Sequence, residues 1–128
     1  MDGRRLFVPR GKMLGGSSSM NAMMYTRGHS SDFNEWAALG NTGWSYEEVL
    51  PYFKCCEDNS RGPSTWHGVG GPLTVSDLAD PNPLSRAFVE AAVKVGIRHN
   101  DDYNGATQDG VRPPYRRRNA PVSRLIKL

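Results

Sequence analysis

No stretch of this chain approaches the roughly 18 consecutive apolar residues that a membrane-crossing helix requires, so none is expected in its 128 residues. Hydrophobic residues make up only 38% of the sequence. That share is low for a self-sufficient core, and a piece of a larger domain is the simpler expectation. Cysteine is scarce as well. Cys55 and Cys56 are adjacent and would pair only through a strained vicinal bridge, so both thiols are expected to be free and to say nothing of the redox compartment. The three histidines, His29, His67 and His99, stand far apart with no histidine or cysteine three or four residues away, so no metal site is expected. No Ser, His and Asp constellation is visible, and Ser17 to Ser19 lack the strand and spacing of a nucleophile elbow.

Charge is unevenly placed. Sixteen Lys and Arg against thirteen Asp and Glu give a net charge of +3. Six of the basic residues (Arg112, Arg116, Arg117, Arg118, Arg124, Lys127) fall in residues 112–128, which hold no acid, leaving the first 111 residues at about −3. Pro113 and Pro114 would remove donors from a ladder. Residues 112–128 are therefore expected to be a disordered basic tail. A polyanion contact through this tail is the alternative, but nucleic acid is not the expected partner.

Local patterns place a few elements. Ser31-Asp-Phe-Asn-Glu-Trp-Ala-Ala-Leu begins with a hydroxyl cap, sets Phe33, Trp36 and Ala37 on one face and stops at Gly40, which predicts a short amphipathic helix. Ser45 and Glu48 form a capping box ahead of Val49, Leu50, Tyr52 and Phe53, with a bend or restart expected at Pro51. Leu84, Ala87, Phe88, Ala91, Ala92 and Val95 recur at helical spacing between an Asn82 cap and a Gly96 stop, predicting a helix over 83–95. Pro72 to Ser76 reads as a strand. His67, in Trp66-His-Gly-Val-Gly-Gly, reads as a turn or packing residue, and the aromatics Trp36, Trp44, Tyr46, Tyr52 and Phe53 as packing rather than a partner surface.

The densest signal is Gly11-Lys-Met-Leu-Gly-Gly-Ser-Ser-Ser-Met-Asn-Ala-Met-Met-Tyr-Thr-Arg-Gly28. Gly15 and Gly16 permit positive φ and a close approach of a flat or anionic ligand to the main chain. Ser17, Ser18 and Ser19 add hydroxyls beside backbone N–H groups, a combination that attracts phosphate oxygens. Taken alone, such a stretch is more often a solvated turn.

The order and intervals of Gly11, Lys12, Leu14, Gly15, Gly16, Ser17, Ser18, Met20, Asn21, Tyr25, Gly28 and Asn34 resemble the first signature of the glucose-methanol-choline (GMC) flavoprotein oxidoreductases. The likeness continues through Trp36, Trp44, Pro51, Glu57-Asp-Asn, His67-Gly-Val-Gly-Gly-Pro72 and Tyr103-Asn-Gly, and it looks most like the branch that includes insect glucose dehydrogenases. The resemblance implies an α/β fold of short helices and loops with few strands: residues 1–71 from an FAD-binding domain, 72–111 from the start of a substrate domain, and 112–128 the tail. It implies FAD as cofactor, with Met13, Gly15, Gly16, Ser17, Asn21, Ala22, Met23 and Met24 beside it. In the choline-oxidising branch a histidine ahead of the asparagine bonds the flavin covalently. Here that position is Met20, whose thioether cannot make the bond, so the FAD is expected to be non-covalent.

The same resemblance implies a hydride transfer from the CH–OH group of an alcohol or sugar to the flavin, with a histidine taking the hydroxyl proton. That histidine and its partner lie near the far end of a full-length GMC chain, and the Gly-x-Gly-x-x-Gly turn that opens one does not occur here. The sequence thus reads as an internal piece with no catalytic residue of its own, expected to be inactive alone. A non-enzymatic product retaining only an interaction surface is the alternative. Met1-Asp-Gly-Arg-Arg lacks the apolar run of a secretory signal, but a piece does not reveal the parent's compartment, and a secreted parent remains compatible.

Overall fold

The computed structural model describes residues 2–113 and the backbone of 116–118. A single 3-10 turn, Gly16–Ser19, precedes helix α1 (Ser30–Ala38), helix α2 (Tyr46–Cys56), strands β1 (Glu57–Asn59) and β2 (Leu73–Ser76), helix α3 (Pro83–Lys94) and strand β3 (Arg116–Arg118). The fold is α/β. Strand order is β1-β2-β3, with β1 parallel to β2 in the register Glu57 to Leu73 and β2 antiparallel to β3 in the register Ser76 to Arg116. The strands β1 and β2 stand on either side of the expected boundary at 71/72 and share one sheet.

Capping chemistry explains the helices. At α2 the Ser45 side chain and the Glu48 carboxylate form the expected box, and the helix continues through Pro51 as one element. At α3 the Asn82 side chain accepts from the Leu84 N–H at 2.9 Å, and Gly96 follows the helix at φ 94°. The cap of α1 differs from expectation. His29 is the N-cap: its Nδ1 accepts from the Ser31 N–H at 3.2 Å while Asp32 accepts from the His29 N–H at 3.0 Å. A ring nitrogen placed two residues ahead does the work assigned to a hydroxyl.

The turn between β1 and β2 depends on glycine. A Cβ on Gly68 would lie 1.9 Å from the Lys54 carbonyl oxygen, and one on Gly71 would lie 2.4 Å from the Cys56 carbonyl carbon. The last turn of α2 therefore rests directly on this backbone, which brings His67 inward.

Among the described residues the buried apolar side chains are Phe33, Val75 and Ala92, whereas Arg27, Glu57, Asn59, His67, Asn100 and Asn104 are buried polar groups. Phe33 centres the aromatic packing, with the rings of Trp36, Tyr46 and Phe53 between 5.5 and 5.9 Å away. Trp36, Trp44 and Tyr52 nonetheless keep much of their surface exposed. On α3 the apolar stripe faces outward: Leu84, Phe88 and Val95 are each at least 70% exposed, because no described element covers that face.

The basic segment is not uniformly a tail. Arg112 donates to Asp77 at 2.7 Å and to the Asp101 carbonyl, and its guanidinium lies over the Tyr103 ring at 5.5 Å. Residues 116–118 pair with β2. The expectation of disorder is corrected for these positions, because the prolines precede the strand instead of lying in its ladder. Arg124 and Lys127 lie outside the described residues.

Candidate functional site

The residues expected at a cofactor form one continuous loop. Gly15 takes the left-handed conformation at φ 85° and caps the 3-10 turn, and Gly16 follows at φ 55°. The Met13 carbonyl accepts from the Gly16 N–H at 2.8 Å, and Ser17 Oγ accepts from the Gly11 N–H at 3.1 Å. Asn21 Oδ1 accepts from the Met23 N–H at 2.7 Å, which bends the chain so that Met23 itself has φ 55°, an uncommon state for a residue with a Cβ. Ala22 and Met24 are exposed and Met23 is half-buried. Two of the three serine hydroxyls point into the loop: Ser18 donates to the Gly15 carbonyl at 2.6 Å and Ser19 to the Leu14 carbonyl at 2.8 Å. They stiffen the loop and are not aimed at a ligand.

The fit to a flat cofactor can be judged at Gly16. A Cβ built there meets nothing closer than the Gly11 carbonyl oxygen at 3.9 Å, so the side of the loop at Gly16 is open. Met13, Leu14, Met20 and Met24 are all more than half exposed, an apolar surface alongside it. An open glycine face flanked by exposed thioethers suits a large aromatic ligand.

Behind the loop lies a group of residues that sequence reasoning did not assemble. Arg27 Nη2 donates to Glu57 Oε2 at 2.9 Å and Nη1 to the Trp66 carbonyl at 2.7 Å. Glu57 also accepts from the Gly68 N–H at 3.0 Å and from Asn59 Nδ2 at 3.0 Å. His67 lies between two carboxylates, with Nδ1 3.0 Å from Glu57 Oε1 and Nε2 2.7 Å from Asp102 Oδ2. Nδ1 also lies 3.0 Å from the Asn59 amide nitrogen, and a carboxylate at each ring nitrogen favours the protonated ring. Asp102 and then Glu57 hold its pKa up at about 9, against the opposing effect of burial. Burial alone would raise Glu57; the bonds from His67, Gly68 and Asn59 outweigh it and hold the carboxyl below its usual range. Two cations and two anions thus share one mostly buried site with no net charge.

His67, read as a turn or packing residue, is indeed buried in a turn, and the structure adds its place between two carboxylates. The family motifs around His67 and Tyr103-Asn-Gly were the only sequence signals of it. Hollows of several sizes open among the described residues. One of about 180 Å3 lies between Arg27, Tyr46, Trp66 and Tyr103. A larger one, about 600 Å3, sits under α3 against Val89, Val93 and Pro113, away from the loop. Among the described residues no helix is long and apolar enough to cross a membrane.

An α/β segment whose glycine-rich loop opens toward an apolar face is the kind found in flavin-dependent oxidoreductases. The sequence profile described as GMC oxidoreductase matches residues 1–123, and the chain belongs to that family. It is 51% identical over 110 residues to an oxygen-dependent choline dehydrogenase of Rhizobium etli, covering 86% of this chain and 20% of that protein. The oxygen-dependent choline dehydrogenase of Brucella ovis is also 51% identical, over 111 residues, covering 87% of this chain and 20% of the relative. Among solved structures, pyridoxine 4-oxidase from Mesorbium loti superposes with a TM-score of 0.77 at 41% identity, over 84% of this chain and 21% of that one. An FAD-dependent oxidoreductase from Chaetomium thermophilum gives 0.74 at 33% identity, over 85% and 21%. The chain spans about a fifth of the length of these relatives. The cofactor of the family's N-terminal domain is FAD.

Proposed function

We propose that this chain is the flavin-facing part of an oxidoreductase acting on the CH–OH group of a small alcohol, with Met13, Gly15, Gly16, Ser17, Asn21, Ala22, Met23 and Met24 lying along a non-covalent FAD. The observation that carries the reading is the open, left-handed Gly15-Gly16 corner beside exposed methionines. When bound, FAD supplies the acceptor for a hydride leaving the alcohol carbon. The chain's own share is binding and orientation. The glycine corner admits the cofactor close to the backbone, Asn21 fixes the bend that presents Met23, and the methionine side chains exclude water from the covered face. Met20, lacking a ring nitrogen, leaves the flavin dissociable.

The names of the relatives, choline dehydrogenase and pyridoxine 4-oxidase, support a primary alcohol on a small polar molecule. A sugar donor of the glucose dehydrogenase kind is the narrower alternative, and a panel of choline, pyridoxine and glucose offered to the full-length enzyme separates them. The 128-residue chain alone is expected to oxidise none of them, since it spans about a fifth of the length of its relatives. Turnover of a dye acceptor by the purified chain with added FAD, above a buffer control, would overturn that. For the loop, Gly16→Val in the full-length enzyme sets a branched side chain on the open face in a left-handed conformation. Flavin content should fall sharply, and a variant with stoichiometric flavin and an unaltered visible spectrum would refute the assignment.

A further inference from the structure

The loop reaches the body of the protein at residues 25–27, and there its backbone is held by side chains. Asn104 Nδ2 donates to the Tyr25 carbonyl at 3.2 Å, and Asn104 Oδ1 accepts from the Arg27 N–H at 2.8 Å. Gln108 Nε2 donates to the Arg27 carbonyl at 2.7 Å. The Asn104 carboxamide supplies the donor and acceptor that the backbone of a neighbouring strand would supply, and it is only 2% exposed. An amide with both ends satisfied in a buried setting is a rigid link.

Asn104 is itself anchored. Its N–H donates to Asp102 Oδ1 at 3.0 Å, and Asp102 takes the Asn100 side chain on its own N–H at 2.8 Å. From Asp102 the contacts run to His67, from His67 to Glu57 and from Glu57 back to Arg27. The path Arg27, Glu57, His67, Asp102, Asn104 is therefore closed, and it grips one loop residue by its guanidinium and by its backbone. By contrast, among the described residues the side-chain hydrogen bonds of 11–23 all close within the loop. Local bonds fix the shape of the loop; where it sits is decided at its end.

We propose that Asn104 is a positioning residue for the cofactor loop, setting the place of Met23 and Met24 through its two bonds to the backbone of Tyr25 and Arg27. The proposal rests on the reading of residues 13–24 as flavin-facing. It assigns Asn104 no contact with substrate or cofactor: its effect passes through the loop.

The test uses the full-length holoenzyme and reads FAD affinity by fluorescence titration, the visible flavin spectrum, and amide hydrogen exchange over residues 20–28. Asn104→Leu removes both bonds with little change of volume. FAD affinity should drop about tenfold or more, the flavin bands should shift, and exchange over 20–28 should quicken while the far-ultraviolet circular dichroism stays unchanged. Asn104→Asp keeps an acceptor for the Arg27 N–H but faces the Tyr25 carbonyl with a second oxygen. Its FAD affinity should be intermediate and should recover, relative to wild type at the same pH, as acid protonates the new carboxyl and restores the donor. Should Asn104→Leu fail to fold, Asn104→Asp with its pH profile and Gln108→Met, which removes the third bond alone, decide the matter. Native affinity, spectrum and exchange in the folded variants would overturn the proposal. Gly16→Val, run beside them, separates the two levels. Flavin loss there with native behaviour at Asn104 refutes the positioning role alone, whereas native flavin in Gly16→Val refutes the loop reading and the positioning role with it.

Discussion

Residues 11–24 and the residues behind them follow opposite designs. The loop is largely exposed, is built from glycine, serine and methionine, and closes its side-chain hydrogen bonds over spans of two to six residues. The group of Arg27, Glu57, His67, Asp102 and Asn104 is mostly buried and, apart from the Asp102–Asn104 bond, joins partners 10 to 77 residues apart. An exposed loop is free to serve a ligand and contributes little to stability; a buried ionic group does the reverse, since each member lost leaves its neighbours uncompensated. Damage to the loop should therefore show first in cofactor retention and damage to the ionic members Arg27, Glu57, His67 and Asp102 first in stability, with Asn104, which joins the two regions, acting on the loop.

The strongest break in that comparison is Glu57→Gln. It removes the carboxylate charge that Arg27 meets at 2.9 Å and His67 at 3.0 Å, leaving Asp102 against His67 but taking from the buried Arg27 the carboxylate it bonds. Breaking a buried ion pair from one side costs about 3–5 kcal/mol. Urea denaturation followed by circular dichroism should show a loss in that range. Gly16→Val, in the loop, should cost about 1–3 kcal/mol for the strained backbone while its effect on flavin content is much the larger. A Glu57 variant of native stability, or a Gly16 variant that loses stability more than flavin, would erase the distinction.

Acidity sharpens it. Folding raises His67 from its ordinary 6.5 to about 9, so between those values the folded chain keeps a proton that the unfolded chain has released. The stability this confers is complete below about pH 6.5 and is lost as pH rises through about 9. Glu57 acts at the other side: its carboxyl lies below the usual 4.5, so its contribution is present above that value and is lost as pH falls. Stability should peak between these limits, at mildly acid pH, and His67→Gln should flatten the alkaline decline. An unaltered alkaline limb in that variant would show that another group is responsible.

How much of this could be read beforehand differs between the two regions for a physical reason. The loop is a local object, so Gly15, Gly16 and Asn21 announce it by their spacing. The capping box at Ser45 and Glu48 and the Asn82 cap with its Gly96 stop are local in the same way. Helical spacing from Leu84 to Val95 gave α3 but not the partner of its stripe, which stays uncovered. The ionic ring has no local pattern at all: Arg27, Glu57, His67 and Asn104 meet only once β1 is laid beside β2 and Gly68 lets α2 approach. Among the described residues, burial of six polar residues against three apolar ones inverts the rule on which a core is guessed from sequence. At Arg116–Arg118 the reading failed through composition, since a run of arginine behind two prolines argues against a strand, yet backbone pairing with β2 is indifferent to side-chain charge.

The smallest expected effect concerns that segment. Ending the chain at Val111 removes Arg112, with its bond to Asp77 at 2.7 Å and its place over Tyr103, and strips β3 from the edge of β2. Asp77 is 45% exposed and retains Arg61 at 2.8 Å, so although the Arg112 side chain is 8% exposed the carboxylate keeps a counter-charge and the ionic part of the loss is about 1 kcal/mol or less. The melting temperature should fall by only a few degrees, with Arg112→Ala reproducing part of the drop. Flavin content of the FAD-loaded protein carrying Arg112→Ala should be unchanged, because the contacts seen for Arg112 are with Asp77, Asp101, Pro113 and Tyr103. A melting temperature identical to wild type in both the truncation and Arg112→Ala would mean that the strand and the arginine lend the body nothing. A fall in flavin content on Arg112→Ala would instead place this segment in communication with the loop, through Tyr103 and its neighbour Asn104.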